Sequence, residues 1–195
     1  MNDRQTIRLG IQKKRSQLSP TTYLQAAIEM SDYVANTTWF RRSRHIAFYQ
    51  AVRGELDSSY LFQRAWEMGK VCYLPVCHPL HHQSLLFLPY FPGEKLIQNR
   101  YGIFEPDIRT HHPRKPFALD LVFTPLLAFD AYGNRLGSGK GYYDRTFAYF
   151  RYFPNTSRPL LVGLAYAFQE VAKISAESWD VPLDKMVIFQ PSHDP

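Results

Sequence analysis

Residues 129–145 read FDAYGNRLGSGKGYYDR, and how this stretch is interpreted decides the reading of the whole chain. Gly137, Gly139 and Gly141 alternate with Ser138 and Lys140. That spacing frees the backbone for positive φ and lets several N–H groups converge on one anion. Arg135 and Lys140 supply cationic side chains, and Asp144 places a hard oxygen ligand just past the last glycine. Upstream lies the apolar strand DLVFTP (120–125), continued by LLAFD, and downstream a helix is expected over about Tyr142–Tyr149. Strand, glycine turn and helix N-terminus together favour phosphate through free amides and the helix dipole. A phosphate-binding P-loop would need Ser or Thr after Lys140, where Gly141 stands, and a glycine where Asn134 stands. The dinucleotide fingerprint GxGxxG also fails, because the spacing is GxGxG. On residue type alone, a phosphate cradle competes with a purely structural glycine turn.

Working outward, the chain alternates helix and strand. Residues 3–17 form an amphipathic helix with Ile7 and Ile11 on a thin apolar stripe and Arg4 and Arg8 one turn apart, a pattern that by itself favours a solvated basic face. Ser19-Pro20 starts a second helix that runs to about Asn36. HIAFYQ (45–50) reads as a buried strand, and AVRGELDSS after it is a loop carrying Gly54 and Glu55 at the edge where open α/β sheets bind ligands. A helix over Ser58–Met68 is closed by Gly69, and VCYLP (71–75) is the next strand. Residues 77–100 are polar and His-rich, with SLLFLPYF and EKLIQ as short strands of a β excursion, and YGIFEP (101–106) reads as an ordered loop. LLVGLAY follows a linker bracketed by Pro154 and Pro159, and SWDVPLDKMVIF holds Asp180 and Asp184 before a last short strand.

At 195 residues with 45% hydrophobic content, the chain supports one sizeable core, and we expect a single domain over 1–195. The formal charge of +6 favours anionic partners, a nucleotide as readily as a nucleic acid, because the basic residues are scattered. Cys72 and Cys77 match neither a metal knuckle nor a redox pair and read as buried, reduced thiols. His78, His81, His82, His111 and His112 lack acidic or thiol partners at ligand spacing and read as exposed loop residues. The polar N-terminus and the lack of any membrane-length apolar run point to a cytoplasmic protein.

The run GNRLGSGKGYYDR resembles the signature of the 5-formyltetrahydrofolate cyclo-ligases, also called methenyltetrahydrofolate synthetases. The basic N-terminal helix, the segment around Glu55, the YGIFEP loop and the tail from Asp180 to Phe189 are similar to that family's segments and stand in its order, so the resemblance covers nearly the whole chain. It implies ATP- and magnesium-dependent conversion of 5-formyltetrahydrofolate to 5,10-methenyltetrahydrofolate. It also implies an α/β fold: a single three-layer sandwich with a mostly parallel sheet and a β excursion, akin to sugar-phosphate isomerases and CoA transferases. ATP would be bound by Arg4, Arg8 and the run Arg135, Leu136, Gly137, Ser138, Gly139, Lys140, Gly141, Tyr142 and Tyr143, with Lys140, Arg135 and Tyr143 at the chemistry. Magnesium would fall to Asp144 and Asp180, with Asp184 as a competing ligand, and the folate to Gln50, Glu55, Tyr101 and Tyr142. Arginine at position 4 stands where lysine is common, and Trp179 where a histidine usually precedes the tail aspartate. The expected partners are therefore reduced folate and ATP, taken up by a monomer, with no membrane and no nucleic acid. A catalytically silent nucleotide- or RNA-binding relative, and an ATP-using enzyme of the same fold acting on another heterocycle, are the competing readings.

Overall fold

The computed structural model describes residues 3–81, 83–152 and 158–190, so His82 and Pro154 lie outside the described residues. Helix α1 spans Asp3–Ser16, and α2 spans Pro20–Ala35. Ser19 caps α2 as its composition predicts, its hydroxyl accepting the Thr22 N–H at 3.0 Å. A short helix, α3 (Thr38–Arg42), was not legible in the sequence; Thr37 caps it and Phe40 anchors it in the core. Helix α4 covers Ser59–Glu67, and Gly69 follows it at φ +68°, as a helix stop requires.

Six strands form the main sheet. They are β1 (His45–Ala47), β2 (Val71–Cys77), β3 (Leu85–Pro89), β6 (Leu121–Thr124), β9 (Leu160–Tyr166) and β10 (Lys185–Phe189), in the order β10-β9-β6-β1-β2-β3. Every pairing is parallel except that of β3, which runs antiparallel to β2. That edge pairing, Cys77 opposite Leu85, lengthens β2 beyond the VCYLP run. Conversely, only His45–Ala47 of HIAFYQ forms the regular strand.

Side chains on these strands alternate between two apolar layers, as a doubly covered sheet demands. Ile46, Phe48, Leu121, Phe123, Val162 and Leu164 pack with α2, α3 and α4. Ala47, Val122, Leu161 and Ala165 face the other way, toward Phe147 and the tyrosines of α5 (Tyr142–Thr146) and α6 (Tyr149–Tyr152). The sheet is thus covered by helices on both sides. Gly163 is required on the second face, where an added Cβ would lie 2.5 Å from Met186 Sδ and 2.7 Å from Leu126 Cδ2.

Two smaller hairpins complete the structure. β7 (Ala128–Phe129) pairs with β8 (Arg135–Leu136), so the glycine-rich stretch begins as the second arm of a hairpin under α1. β4 (Leu96–Gln98) pairs with β5 (Phe104–Pro106), which corrects the expectation of a loop over 101–106: Ile97 opposite Glu105 makes its second half a strand. The single helix expected over 142–149 is likewise two short helices, broken at Phe147. No helix among the described residues is long and apolar enough to cross a membrane.

Candidate active site

A cavity of about 980 Å³ opens at the C-terminal ends of the parallel strands, beyond Tyr49 after β1, Cys77 of β2 and Pro125 after β6. This is the edge where open α/β sheets hold ligands, and the volume lies at the upper end of small-molecule pockets. One wall is α1. Arg4, Arg8, Gln12 and Arg15 recur at helical spacing and all line the cavity, so the basic face is turned inward and is not a solvated surface.

The glycine loop forms the next wall. Gly139 and Gly141 adopt φ +95° and +68°, as the spacing predicts, whereas Gly137 does not have positive φ. Arg8 lies directly on the loop: its Nε donates to Gly137 O at 3.0 Å, and a Cβ on Gly139 would approach its guanidinium to 3.4 Å. Burial, then the neighbouring charge of Arg4, lowers the Arg8 pKa, against the opposing pull of Asp180. Because α5 has only five residues, its dipole is small and the loop amides with Arg8 and Lys140 carry the anion-binding character. Leu136 is different: its side chain is in the core beneath α1, and its carbonyl accepts the Leu127 N–H at 2.7 Å.

Arg135 is 6% exposed, and its Nη2 donates to Asp144 Oδ1 at 2.7 Å. The same Oδ1 accepts the Val181 N–H at 3.1 Å, tying the loop to the tail. Asp180 pairs with Arg4 at 2.8 Å and accepts the Glu177 N–H through the same Oδ2. Among the described residues these bonds use Oδ1 of Asp144 and Oδ2 of Asp180, so the second oxygen of each carboxylate could meet a hard cation. Among the described residues no three His, Cys, Asp or Glu side chains gather to hold a metal by themselves. Magnesium on phosphate needs only one or two carboxylates, so the donor set fits. Asp184 does not line the cavity; it pairs with Arg158 at 2.8 Å and accepts the Leu161 N–H.

At the opposite end, Lys140 Nζ lies 3.8 Å from the centre of the Tyr101 ring, a cation–π contact that joins the loop to the β4–β5 hairpin. The Tyr101 and Tyr142 hydroxyls are 2.9 Å apart, and Arg100 donates to Tyr142 at 2.9 Å. The hydrogen bond from Tyr142 lowers the Tyr101 pKa, and burial lifts that of Tyr142 to about 12. Asn99 Oδ1 accepts the Tyr101 N–H, while its amide donates to buried Glu105. Asn99 and Glu105 therefore position the aromatic ring.

Glu55 lies across the cavity on a tight turn in which its Oε2 accepts the Val52 N–H at 3.2 Å. Burial raises its pKa from the ordinary 4.5 to about 7, against the opposing pull of Arg15. The Tyr143 hydroxyl is buried with no partner among the described residues, and burial followed by the charge of Glu55 raises its pKa. Gln50, Trp179 and Cys77 complete the lining. Cys77 is only half-buried, which corrects half of the buried-thiol expectation, while Cys72 is buried and raised to about 12.

The family model described as "5-formyltetrahydrofolate cyclo-ligase family" matches residues 1–189. The chain belongs to that family. A 5-formyltetrahydrofolate cyclo-ligase of Haemophilus influenzae is 40% identical over 185 residues, covering 95% of this chain and 97% of that protein. One of Escherichia coli K12 is 42% identical over 142 residues, 73% of this chain and 76% of its own. The solution structure of Aquifex aeolicus 5,10-methenyltetrahydrofolate synthetase is 27% identical with a TM-score of 0.78, covering 97% of this chain and 90% of that one. The mixed α/β fold with its mostly parallel sheet is therefore the family's fold. Sequence reasoning missed Arg15, Gln12, Asn99, Arg100 and Glu105. Arg15 and Gln12 were accessible to it, since they continue the helical face of Arg4 and Arg8.

Proposed function

We propose that the chain catalyses the ATP- and magnesium-dependent closure of 5-formyltetrahydrofolate to 5,10-methenyltetrahydrofolate, releasing ADP and phosphate. The observation that carries this reading is the juxtaposition in one cavity of an anion-binding glycine loop and a buried carboxylate, bridged by Lys140 over Tyr101. The formyl oxygen attacks the γ-phosphorus and ADP leaves. N10 then closes on the formyl carbon, phosphate departs with the former formyl oxygen, and the N10 proton is lost.

Each residue group has a task in that sequence. The amides of Gly137–Gly141 with Arg8 and Lys140 hold the phosphates, and Lys140 follows the charge of the transferred group. Arg135 holds Asp144 in place through its ion pair. Magnesium, when bound by Asp144 and Asp180, would neutralise charge on the phosphates. Glu55 accepts pterin N–H bonds, Gln50 lines the same end, and Tyr101, Tyr142 and Tyr143 wall the ring. Alignment of two bound reactants can lower such a barrier by about 7–11 kcal/mol. We also propose one domain over 1–195, a monomer in the cytoplasm, and kinship of the sheet with sugar-phosphate isomerases and CoA transferases.

The pure protein with ATP, magnesium and 5-formyltetrahydrofolate should develop the absorbance of the methenyl product. Folded protein that binds nucleotide with steep salt dependence but never develops that absorbance would favour the silent-relative reading instead.

A further inference from the structure

Arg15 is 4% exposed, lines the cavity, and is held on several sides. Its Nη2 donates to the Leu126 carbonyl just beyond β6, and its Nη1 lies 3.9 Å from Glu55 Oε1. Gly54, at φ +72°, rests on the Arg15 backbone so closely that a Cβ there would come within 3.1 Å of Arg15 Cβ and 3.2 Å of its carbonyl oxygen. The last turn of α1 and the Glu55 loop are therefore one unit. Arg15 Nε has no hydrogen-bond partner among the described residues, so the guanidinium is held through its two terminal nitrogens.

We propose that Arg15 is a positioning residue for the folate end of the site, pairing with the Glu55 carboxylate and keeping it aimed at the N–H donors of a pterin ring. This rests on the assignment of Glu55 to the folate. Among the described residues Arg15 is the one cation within ion-pair distance of Glu55. The other groups facing Glu55 are Arg53 on its own loop, Tyr49 after β1, Tyr23 of α2 and Tyr143 of α5. The Tyr49 hydroxyl is already spent on Leu56 O at 2.6 Å, and phenols of raised pKa carry no charge to help. Burial pushes Glu55 to about 7 with Arg15 in place, so without that charge the carboxyl is protonated at neutral pH. A protonated carboxyl turns an O–H donor toward N–H donors and loses its recognition of them.

The test compares wild type with Arg15→Gln and Arg15→Met, two neutral replacements of similar reach, so that failure of one to fold leaves the other. Affinity for 5-formyltetrahydrofolate is measured on the full chain from pH 6 to 9.5, beside steady-state constants for both substrates. Wild-type affinity should rise with pH through about 7 as Glu55 ionises. In the Arg15 variants that midpoint should move up by about one pH unit, the low end of what a nearby opposite charge achieves. The folate KM at pH 7 should rise about fivefold, because a midpoint one unit higher leaves about a tenth of the carboxyl ionised instead of half, with kcat at saturation and the ATP KM near wild type. The defect should shrink at pH 9.5, and Arg15→Lys should restore most of it. A defect equal at all pH values, or one shared by the ATP KM, would show a merely structural strut and overturn the proposal. Glu55→Gln tells the two failures apart: if it alters neither folate affinity nor its pH profile, the assignment of Glu55 falls and the inference with it, whereas a Glu55 effect without an Arg15 effect sinks the inference alone.

Discussion

Replacing Glu55 by glutamine should remove a loss of stability that wild type suffers as pH rises, by an amount that the structure sets. The Glu55 carboxyl titrates at about 7 in the fold, against an ordinary 4.5, chiefly because burial disfavours its charge. The fold thus binds that proton more tightly than the unfolded chain does. The corresponding stability is fully present below pH 4.5 and is lost as pH rises through about 7. At about 1.4 kcal/mol per pH unit, the loss amounts to about 3 kcal/mol. Glutamine cannot titrate, so the difference between Glu55→Gln and wild type should grow by about 3 kcal/mol from pH 4.5 to 8.5, or ~6–12 °C in Tm for a chain of this size. The unpaired Arg15 left by the substitution adds an offset, and that offset does not change with pH over this range. The assay is urea unfolding of both proteins at four pH values, with the slope of the difference as the readout. A difference that is flat with pH, or one that favours wild type increasingly above pH 7, would refute the burial argument. At neutral pH the buried carboxylate costs stability, a cost that its pairing with Arg15 offsets only in part.

Lys140→Ala should lower turnover by about 10²–10³, the range for loss of one charge-stabilising donor at a developing anion, yet weaken folate binding by no more than about fivefold, since the Tyr101 contact is worth about 1 kcal/mol; steady-state kinetics separate the two. Asp180→Ala should raise the magnesium concentration giving half-maximal rate by about tenfold, whereas Asp184→Ala, which loses only the pair with Arg158 and the Leu161 N–H, should leave it unchanged; equal shifts in both would remove Asp180 from the metal. Gly163→Ala should cost about 1–3 kcal/mol in urea unfolding, because Met186 and the side chains of Leu126 and Leu183 occupy the space a Cβ needs.

The strands were legible where hydrophobic runs were long and buried on both faces, as in DLVFTP and LLVGLAY. Short elements were not. β5 is three residues long and exists because Leu96–Gln98 supplies its partner, a pairing invisible to a local window. α3 depends on Phe40 finding the core. The helix expected over 142–149 breaks where Phe147 turns inward against Phe87 and Tyr143, a tertiary demand that propensity does not record. In the site, the glycine loop and Asp180 could be read from residue type, whereas Asp184 lies outside the cavity and Arg15 meets a partner, Glu55, that is distant in sequence. The basic face of α1 is the instructive case. Its spacing was plain, but whether it met water or the cavity depended on what lay opposite.

What lies opposite also explains how α1 stays in place. Its apolar stripe is thin, with Ile7 and Ile11 joining Leu127, Ala128, Leu136, Phe168, Val171 and Ile174 in the smallest of the three cores. The helix is fixed as much by polar anchors: Arg4 on Asp180, Arg8 on Gly137 O and Arg15 on Leu126 O. Arg4 and Arg15 are separated by roughly 16 Å of helix at 1.5 Å per residue. The anchors therefore reach from the tail aspartate to the Glu55 loop, the two ends of the cavity. On the proposed assignment, phosphates at the glycine loop would compete for Arg4 and Arg8, whose bonds to Asp180 and Gly137 O hold α1 over the loop. Because Gly54 rests on the backbone of Arg15, the last turn of α1 and the Glu55 loop meet with no intervening element, and the position of the helix fixes that of the carboxylate.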